Sequence, residues 1–352
     1  MKTIIVASLN WGLGHATRCI PIIKALQERH FKVLLASDGQ ALDLLKKEFP
    51  TLESIELPSY RVQYPDIPGL FKWKMIWHLP HFIKTMQAEK KIIANLVSER
   101  SIAGIISDSR FGVRDPRVPS VYVTHQINVN TGSTSFMSSK LHQRIIKKFE
   151  ACWVPDINVA ALSFSGALGH LKKPSFPVHY FGIVSRMEKQ NEEHSIDILA
   201  VLSGPEPQRT FLENKLNTVL KNCGKNTLMV RGIVENEQKW TEQGKFRTVN
   251  FMQTEELEKT INKSEVVISR SGYTSIMDLA ILEKKAFFIP TPGQYEQEYL
   301  ARRLSDLGIS PFCRQNKFNL EKINQVAVYK GLKPYTYPQE DFEHLFSIFH
   351  RE

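Results

Sequence analysis

Residues 264–278, SEVVISRSGYTSIMD, and residues 290–301, PTPGQYEQEYLA, indicate most directly how this chain folds. Each segment contains a turn of small or polar residues before the start of a helix, and each turn follows a short apolar run, at residues 264–269 and 286–289. This order predicts two successive strand–turn–helix units. In an open parallel sheet such turns meet at the carboxyl edge, where ligands bind and where helix N-termini favour phosphate.

The polar side chains of these two turns are candidates for binding a nucleotide and its sugar. An alternative stays open for Ser275 and Asp278, because this spacing also fits a capping box that satisfies only the N–H groups of its own helix. Pro292 and Gly293 are also ordinary turn residues. The candidates for donor binding here are Arg270, Ser271, Gly272, Thr274, Ser275, Asp278, Gln294, Glu296 and Gln297.

The same region, residues 247–301, resembles the donor-binding half of the two-domain nucleotide-sugar glycosyltransferases of the GT-B type. It is most similar to the family of the peptidoglycan N-acetylglucosaminyltransferases, which have a glycosyltransferase family 28 C-terminal domain. The resemblance implies that Asp278, six residues after Gly272, binds the nucleotide ribose where that family has Glu. It also implies that Glu296 and Gln297, which replace a Gln pair, contact the donor sugar.

Length and composition indicate a globular chain with two cores. Its 352 residues exceed what one hydrophobic core normally organises. The longest apolar runs have the length of strands, which predicts no transmembrane helix, and the run at residues 3–9 is interpreted as a buried strand rather than a signal peptide. Cys19, Cys152, Cys223 and Cys313 lie far apart, which predicts reduced thiols, a cytoplasmic location and no zinc site.

Positive charge is concentrated in the first half of the chain. Residues 1–180 contain 23 Lys and Arg against 13 Asp and Glu, whereas residues 181–352 contain 23 of each. A basic half attracts nucleic acid, anionic lipid or a phosphorylated acceptor. Because no zinc-finger or RNA-recognition signature accompanies the charge, it favours a phosphorylated or lipid-linked acceptor and argues against nucleic acid.

Strand and helix signals alternate along most of the chain, which predicts an α/β fold of parallel βα units. We expect two Rossmann-like domains that face each other across a cleft. The first, residues 1–183, binds the acceptor; a polar linker follows at 184–195; and the second, residues 196–335, binds the nucleotide sugar. The resemblance implies that the amphipathic segment 336–352 forms a helix that packs back on the first domain.

A glycine-rich turn, NWGLGHATR at residues 10–18, follows the first predicted strand. Gly12 and Gly14 permit a tight turn and a close approach of the backbone to a ligand. Thr17 replaces the third glycine of a dinucleotide fingerprint, which argues against a dehydrogenase. His15 is a candidate general base because imidazole exchanges protons near neutral pH, and the alternative is that it only caps or packs at the helix start.

Two further polar clusters follow later strands and are expected at the same sheet edge. Asp108 and Arg110 follow one strand, and His125 and Gln126 follow the next. Asp108 is a second candidate for the base, or it orients a histidine such as His15, or it forms an ordinary Asx turn. The predicted acceptor-binding residues are Gly12, Gly14, Arg18, Arg110, His125 and Gln126.

These residues predict a reaction that needs no cofactor and no metal. No Asp-x-Asp pair occurs in this region, which argues against the metal-dependent glycosyltransferases of the other common architecture. The leaving group is therefore expected to be stabilised by helix N-termini. Arg18 is expected to hold a phosphate of the acceptor, or else to pair with a nearby acid.

Two more segments of the second half are assigned to the donor. Ser203 and Gly204 are expected to hold its diphosphate with added charge from Arg209, unless they belong only to a proline-containing turn. By resemblance, Phe251 and Met252 cap the uracil of the nucleotide. On composition alone these two would be core residues.

An aromatic and basic stretch, FKWKMIWHLPHFIK at residues 71–84, has two interpretations. It suits an element that lies on an anionic membrane and presents a lipid-linked acceptor. It also fits a long amphipathic helix whose aromatic side chains enter the core. Peripheral attachment to the inner face of the membrane is therefore a hypothesis.

Taken with the resemblance, these features predict an inverting glycosyltransferase of cell-envelope glycan synthesis. A sugar passes from a nucleotide donor, UDP-linked by resemblance, to an acceptor hydroxyl that His15 or Asp108 deprotonates. A nucleotide-sugar hydrolase or 2-epimerase on the same architecture is the alternative. A non-catalytic nucleotide-binding protein is the third interpretation.

Overall fold

The chain forms two α/β units in a computed structural model. The first unit comprises Met1–Arg186 and Thr336–Glu352, and the second comprises Met187–Tyr335. The boundary between them lies within the polar segment at residues 184–195. The structure describes residues 1–61, 71–233, 235–334 and 340–350, and for residues 71–78 it describes the helical backbone alone.

The first unit is built on a seven-stranded sheet with helices in the connections. Its strands are β1 Thr3–Ser8, β2 Lys32–Ser37, β3 Ser54–Glu56, β4 Ile102–Asp108, β5 Ser120–Val123, β6 Ala151–Val154 and β7 Val178–Tyr180. Its helices are α1 Gly14–Glu28, α2 Gly39–Glu48, α3 Phe71–Glu99 and α4 Ser135–Ile146. The strand order is β3-β2-β1-β4-β5-β6-β7, and every neighbouring pair is parallel.

Helices cover both faces of this sheet, and this explains its continuous apolar strands. Ile4 and Val6 of β1 pack in the cluster that contains α1, whereas Ile5 packs on the opposite face with Ile105 of β4 and Ile93 of α3. Strands buried on both sides are typical of parallel sheets between helix layers. Because β2 and β4 lie on opposite sides of β1, the carboxyl ends of β1 and β4 form a topological switch point, the usual ligand-binding position.

The second unit is built on a six-stranded sheet. Its strands are β8 Ile196–Val201, β9 Thr227–Val230, β10 Trp240–Gln243, β11 Phe246–Val249, β12 Ser264–Ser269 and β13 Lys285–Phe288. Its helices are α5 Gln208–Leu220, α6 Thr254–Asn262, α7 Tyr273–Ile281, α8 Tyr295–Asp306 and α9 Leu320–Ile323. The order is β10-β11-β9-β8-β12-β13, and only β10 among these strands is antiparallel to its neighbour. The predicted pair of Rossmann-like domains is thereby confirmed.

The C-terminal segment packs on the first unit, as predicted. It forms the short helix α10, Phe342–Phe346, and continues as a 3-10 turn over Ser347–His350. Phe346 and Phe349 are 1% exposed and meet the ring of Trp153 with centroid distances of 6.0 and 5.9 Å. The predicted helix covered residues 336–352, and its parts at residues 336–339 and 351–352 lie outside the described residues.

The differences from the sequence prediction lie mainly at the sheet edges. The short outer strands β3, β7 and β10 were not predicted, since three or four residues give little periodic signal, and all four residues of β10 are exposed. α4 begins at Ser135, within a run of Ser and Thr that on composition favours a loop or a cap, so the sequence gives little signal for this helix start. Among the residues that the structure describes, none of the helices has the length and apolar character needed to cross a membrane.

Candidate active site

The switch point of the first sheet brings His15 and Asp108 together. β1 ends at Ser8, a loop of five residues follows, and His15 lies in the first turn of α1. Asp108 is the last residue of the neighbouring strand β4, which pairs with β1 in register up to Ser8. Residues 93 positions apart in the chain therefore meet at one edge because their strands are adjacent and parallel.

His15 Nδ1 lies 2.7 Å from Asp108 Oδ1. The same nitrogen lies 3.0 Å from Arg18 Nη2, which can only donate. We assign the proton to Nδ1 from the shorter contact, because a carboxylate only accepts hydrogen bonds, and this leaves the lone pair on Nε2. The His15 side chain is 20% exposed and that of Asp108 is fully buried. This is the arrangement of a general base whose ring is oriented by a buried acid.

Arg18 is the third member of this cluster and its side chain is only 1% exposed. Its Nε donates to Asp108 Oδ2 over 2.7 Å, and its Nη2 donates to Oδ1 of the same carboxylate. The predicted alternative of pairing with an acid is therefore the observed one. Since the guanidinium is committed to Asp108, a role in holding an acceptor phosphate has no support in this geometry.

The cluster fixes the ionisation of Asp108. Burial alone would raise the pKa of this carboxyl, but the charge of Arg18 and the contacts with His15 outweigh burial and hold the pKa well below its usual range. Asp108 is thus ionised at every physiological pH. It serves as the orienting anion, and His15 is left as the better proton acceptor of the two candidates.

His125 and Gln126 extend the same cluster from the loop after β5. Arg18 Nη1 lies 2.9 Å from His125 Nδ1, and because Arg can only donate, this nitrogen accepts. His125 is 7% exposed, whereas Gln126 is half-buried, with its amide nitrogen 3.5 Å from His125 Nε2. Both predicted residues therefore lie at the edge that contains His15.

Arg110 was predicted to bind the acceptor, but its side chain is buried in the interior of the first unit. It is fully buried and its Nε donates to Glu89 Oε1 over 2.7 Å. Its Nη1 donates to Asp38 Oδ1 over 2.7 Å, and its Nη2 donates to the carbonyl of Pro58. All three nitrogens of Arg110 are engaged in tying loops of the sheet edge together, and none of these contacts supports the predicted role in acceptor binding.

The glycine-rich turn holds its shape through one left-handed residue. Gly12 has φ +79°, a region that other L residues rarely adopt, although a Cβ there would meet nothing within 4 Å. Gly14 is the first residue of α1, next to His15. Asn10, at the start of the turn, is anchored by its amide, which donates to Asp38 Oδ2 over 3.2 Å. The turn thus presents the N-terminus of α1 at the switch point.

The helix register at the second sheet excludes the capping-box interpretation of Ser275 and Asp278. α7 begins at Tyr273 and its N-cap residue is Gly272, so Ser275 is the third helical residue and does not cap. Thr274, Ser275 and Asp278 are all half-buried rather than enclosed in the core. These three polar side chains therefore lie within the first two turns of a helix that follows β12 at the carboxyl edge.

Arg270 and Ser271 are corrections to the predicted donor-binding set. Arg270 is 1% exposed, and its Nη atoms donate to the carbonyls of Gln208, Ile289 and Pro290 and to the side chain of Gln315. Burial lowers its pKa to about 10. Ser271 is fully buried and donates to the carbonyl of Gln297 over 2.8 Å. Both residues hold loops together.

In the turn before α8, as in the turn before α7, some of the predicted residues hold the loop together and others are partly exposed at the carboxyl edge. The Gln297 side chain accepts from the backbone N–H of Thr291 over 2.8 Å, which closes the turn before α8. Gln294 is the N-cap residue of α8, and Glu296 is the second helical residue. Both are half-buried at the carboxyl edge. Both oxygens of Gln297 therefore hold the turn in place, since the side-chain oxygen accepts from Thr291 and the backbone oxygen accepts from Ser271. Gln294 and Glu296 remain candidates for sugar contacts.

The loop after β8 presents Ser203 and Gly204 to solvent, and Gly204 has φ +107°. Arg209 differs from its prediction, because it is 6% exposed and its guanidinium pairs with Glu206 and with Glu213, whose Oε2 lies 2.6 Å from Nη1. Two carboxylates neutralise its charge, so it adds little attraction for a diphosphate. The predicted diphosphate loop therefore consists of Ser203 and Gly204 without Arg209.

Phe251 and Met252 are half-buried in the loop between β11 and α6. Their partial exposure favours the interpretation that they border a binding groove over the interpretation that they are core residues. Phe251 lines a groove of about 640 Å³ together with polar residues of the same unit. An aromatic ring at the wall of a polar groove is suited to stack on a planar base.

Comparisons with known proteins identify the class of enzyme. Residues 206–344 match the glycosyltransferase family 28 C-terminal domain. The chain is a glycosyltransferase. One relative is the UDP-N-acetylglucosamine--N-acetylmuramyl-(pentapeptide) pyrophosphoryl-undecaprenol N-acetylglucosamine transferase of Actinobacillus pleuropneumoniae serotype 5b. The two sequences are 22% identical over 333 residues, and the alignment covers 92% of this chain and 88% of that protein.

Solved structures show that this glycosyltransferase has the GT-B fold. MurG of Acinetobacter baumannii superposes with a TM-score of 0.58 at 12% identity and covers all of both chains. UGT2 of Phytolacca americana, solved with UDP-2-fluoro-glucose and pterostilbene, superposes with a TM-score of 0.61 at 14% identity and covers 93% of this chain and 88% of that one. The predicted resemblance and fold class are confirmed.

Sequence reasoning missed one polar residue at the carboxyl edge of the second sheet. Thr291 is 2% exposed, and its hydroxyl finds no hydrogen-bond partner among the described residues. A Cβ on Gly204 would lie 3.9 Å from that hydroxyl, so Thr291 faces the predicted diphosphate loop. Buried polar atoms are normally satisfied, and a bound ligand is one way to satisfy this one. The only sequence signal was its position directly after the strand and Pro290.

Proposed function

We propose that the protein transfers a sugar from a UDP-sugar to a hydroxyl of a lipid-linked acceptor, with inversion at the anomeric carbon, in the synthesis of a cell-envelope glycan. The relative described above is named for a transfer of this kind, from a UDP-sugar to a pyrophosphoryl-undecaprenol acceptor. The observation on which the proposal rests is the 2.7 Å contact between His15 Nδ1 and Asp108 Oδ1 at the switch point of the first sheet.

In the proposed reaction His15 Nε2 takes the proton of the acceptor hydroxyl as its oxygen attacks the anomeric carbon. The bond from that carbon to the diphosphate breaks, and the electron pair leaves with the nucleotide. Asp108 keeps the ring in the required tautomer and stabilises the imidazolium that forms. Because Asp108 is buried and paired with Arg18, it retains its negative charge throughout the step.

The second unit is proposed to bind the donor. The N-termini of α7 and α8 supply backbone N–H groups and partial positive charge for the diphosphate. Asp278 is proposed to accept a hydrogen bond from the ribose, and Phe251 to stack on the base. Because helix N-termini offset the developing charge, we propose that transfer needs no divalent cation, and chelation with EDTA should leave the rate unchanged.

The test is nucleotide release from a panel of UDP-, GDP-, dTDP- and ADP-sugars, with and without a lipid extract of cells. Release that needs both a UDP-sugar and the extract supports the transferase, and the anomeric configuration of the product, read by NMR, tests inversion. Comparable release in water alone would favour the hydrolase or 2-epimerase, in which the same pair activates water or the donor itself. Absence of release from every donor would contradict an enzymatic role.

We further propose that the first unit attaches to the surface of an anionic membrane through α4. Phe136, Met137 and Leu141 of this helix are 74%, 73% and 54% exposed, and Lys140 lies over the ring of Phe136. Basic residues continue along the helix and beyond it at Arg144, Lys147 and Lys148. Exposed apolar side chains with interleaved cations suit the interface of an anionic bilayer. In the stretch first considered for this role, the side chains of residues 71–78 lie outside the described part.

Sedimentation with vesicles tests this attachment. The protein should pellet with phosphatidylglycerol vesicles at low salt and remain in the supernatant with phosphatidylcholine vesicles. Replacement of Phe136 and Met137 by Ser should abolish pelleting. Phe211→Ser is the matched control, since this ring is 50% exposed but lies on α5 of the other unit. Equal pelleting of both variants would exclude α4 as the attachment surface.

A further inference from the structure

Three potential metal ligands converge where the C-terminal segment meets the first sheet. His179 lies in the middle of the edge strand β7, and Glu340 and His344 belong to the C-terminal segment, 161 and 165 positions later. The segment is fixed against the strand by the backbone N–H of Glu340, which donates to the carbonyl of Tyr180 over 3.1 Å. His344 is held in α10, whose N-cap residue Asp341 accepts from its backbone N–H over 2.8 Å.

The donor atoms of these side chains are directed at one another. Glu340 Oε2 lies 2.7 Å from His179 Nδ1 and 3.5 Å from His344 Nε2. All three donor atoms lie within 4.8 Å of one another. Glu340 directly precedes Asp341, the N-cap residue of α10, and His344 lies in the first turn of that helix. The three residues thus offer two imidazole nitrogens and one carboxylate oxygen at a single point.

We propose that this cluster binds a zinc ion and clips the C-terminal segment to β7. Two histidines and one glutamate, with water in the fourth position, are an established ligand set for tetrahedral zinc. Zinc bonds of about 2.0–2.2 Å would place the ligand atoms roughly 3.3 Å from one another. The pair of His179 and Glu340, now 2.7 Å apart, must therefore open by about 0.6 Å, and the widest pair, within 4.8 Å, must close by at most about 1.5 Å. The His344 side chain is 66% exposed and can rotate by this amount.

The proposed site departs from the sequence-based expectation that the chain has no zinc site. That expectation came from the cysteines, which are unpaired in spacing, and sequence spacing gives no signal for ligands separated by 161 positions. The ion would act beside an apolar contact, because Phe346 and Phe349 of the same segment are already buried in the first core. Zinc would therefore strengthen an existing attachment and is not required to form it.

Thermal unfolding of the full chain tests the proposal, with zinc chloride as the only added ligand after treatment with EDTA and dialysis. A ligand that binds only the folded state raises the midpoint of unfolding. We expect the midpoint of the wild type to rise with zinc and not with magnesium, which prefers oxygen ligands. His344→Ala and Glu340→Gln should each weaken zinc binding by more than about tenfold. His194→Ala is the control, because this exposed histidine lies outside the cluster.

A second readout distinguishes this site from adventitious binding to other histidines. Co²⁺ in a four-coordinate site gives visible d–d absorption, which the wild type and His194→Ala should show and His344→Ala should lack. Hydrogen exchange at residues 340–350 should slow when zinc is added to the wild type. An equal zinc shift in wild type and His344→Ala, or no shift in the wild type at all, would overturn the proposal and leave a hydrogen-bonded His–Glu–His cluster.

Discussion

The carboxyl edges of the two sheets contain polar residues of similar kinds but use them differently. At the first edge His15, Arg18 and Asp108 bind one another through their side chains, across about 90 positions of sequence. At the second edge the side chains of Arg270 and Ser271 bind mainly backbone carbonyls of neighbouring loops. The first arrangement produces an oriented histidine beside an ionised aspartate, a pair that can move a proton. The second produces rigid turns that present helix N-termini.

Under the proposed function, this difference corresponds to separate tasks for the two edges. A reaction centre needs a group that changes its protonation state, and the first edge contains one next to a fixed anion. A phosphate-binding edge needs N–H groups held in place, and side chains buried in loops provide that support. Substitutions at the first edge should therefore affect the chemistry most, and substitutions of loop-forming residues at the second edge should affect stability more than binding.

The largest effect is expected for Asp108→Asn. The substitution keeps the size of the side chain but leaves the buried charge of Arg18 without its counter-ion, which should lower the free energy of unfolding by about 3–5 kcal/mol. Activity should fall as well, because His15 loses its orienting anion. Urea denaturation measures the loss of stability. A chain with two units need not unfold in one step, so the comparison uses the unfolding transition that the substitution shifts.

Glu53→Gln is the control for this variant, because its partner Arg100 and Glu53 itself are both about half-exposed, and we expect a change below about 1 kcal/mol. The pH dependence gives an independent check. The folded-state pKa of Asp108 lies below its unfolded value, so its stabilising contribution is complete above about pH 4 and is lost as the pH falls through the lower folded-state value. The difference between wild type and variant should be constant near neutrality and shrink in acid; a difference that grows in acid would contradict this assignment.

His15→Gln should remove the proton acceptor without disturbing the fold. A positioned general base contributes about 10²- to 10⁴-fold to a rate, so we expect kcat to fall by that amount with the affinity for UDP unchanged. The measurements are glycosyl transfer at saturating donor and calorimetry with UDP. His194→Gln should behave as wild type. A loss of less than tenfold for His15→Gln would remove the first edge from the chemical step.

Much of the fold follows from the sequence because the inner strands are covered on both sides. β1, β4, β8 and β12 consist largely of buried apolar residues, and such runs between turn signals are visible without a structure. The outer strands are short and partly exposed, and their pairing depends on neighbours distant in sequence. The clearest case is β10, whose four residues are all exposed and which is held by pairing with β11.

The candidate site was predictable in position but not in detail. Strand ends locate polar residues at one edge, and so His15 and Asp108 could be expected to meet. The direction of each side chain depends on partners from other elements: Arg110 turns inward because Glu89 of α3 and Asp38 after β2 provide buried charges. Nothing in the local sequence of Arg110 indicates these partners, and the same limit applies to Arg270. Arg209 differs, because its two acidic partners lie three residues before it and four residues after it.

At the second edge, Asp278→Ala should weaken UDP binding without unfolding the chain. Loss of one hydrogen bond to a charged group costs roughly 1.5–3 kcal/mol, which corresponds to about 10- to 150-fold in the dissociation constant measured by calorimetry. Asp278→Glu is the matched control, because it keeps the carboxylate that the resembled family places there. Unchanged affinity in the Ala variant would show that this acid does not contact the nucleotide.

The smallest effect is expected for Ser271→Ala, which tests whether the second edge supports binding indirectly. The variant loses one buried hydrogen bond to the carbonyl of Gln297, and we expect the free energy of unfolding to fall by about 1 kcal/mol while the affinity for UDP changes less than tenfold. Ser275→Ala is the counterpart, since its half-buried hydroxyl does not cap α7 and its removal should affect binding more than stability. If Ser271→Ala instead abolished UDP binding with the fold intact, its side chain would contact the nucleotide, and the two edges would use their polar residues in the same way.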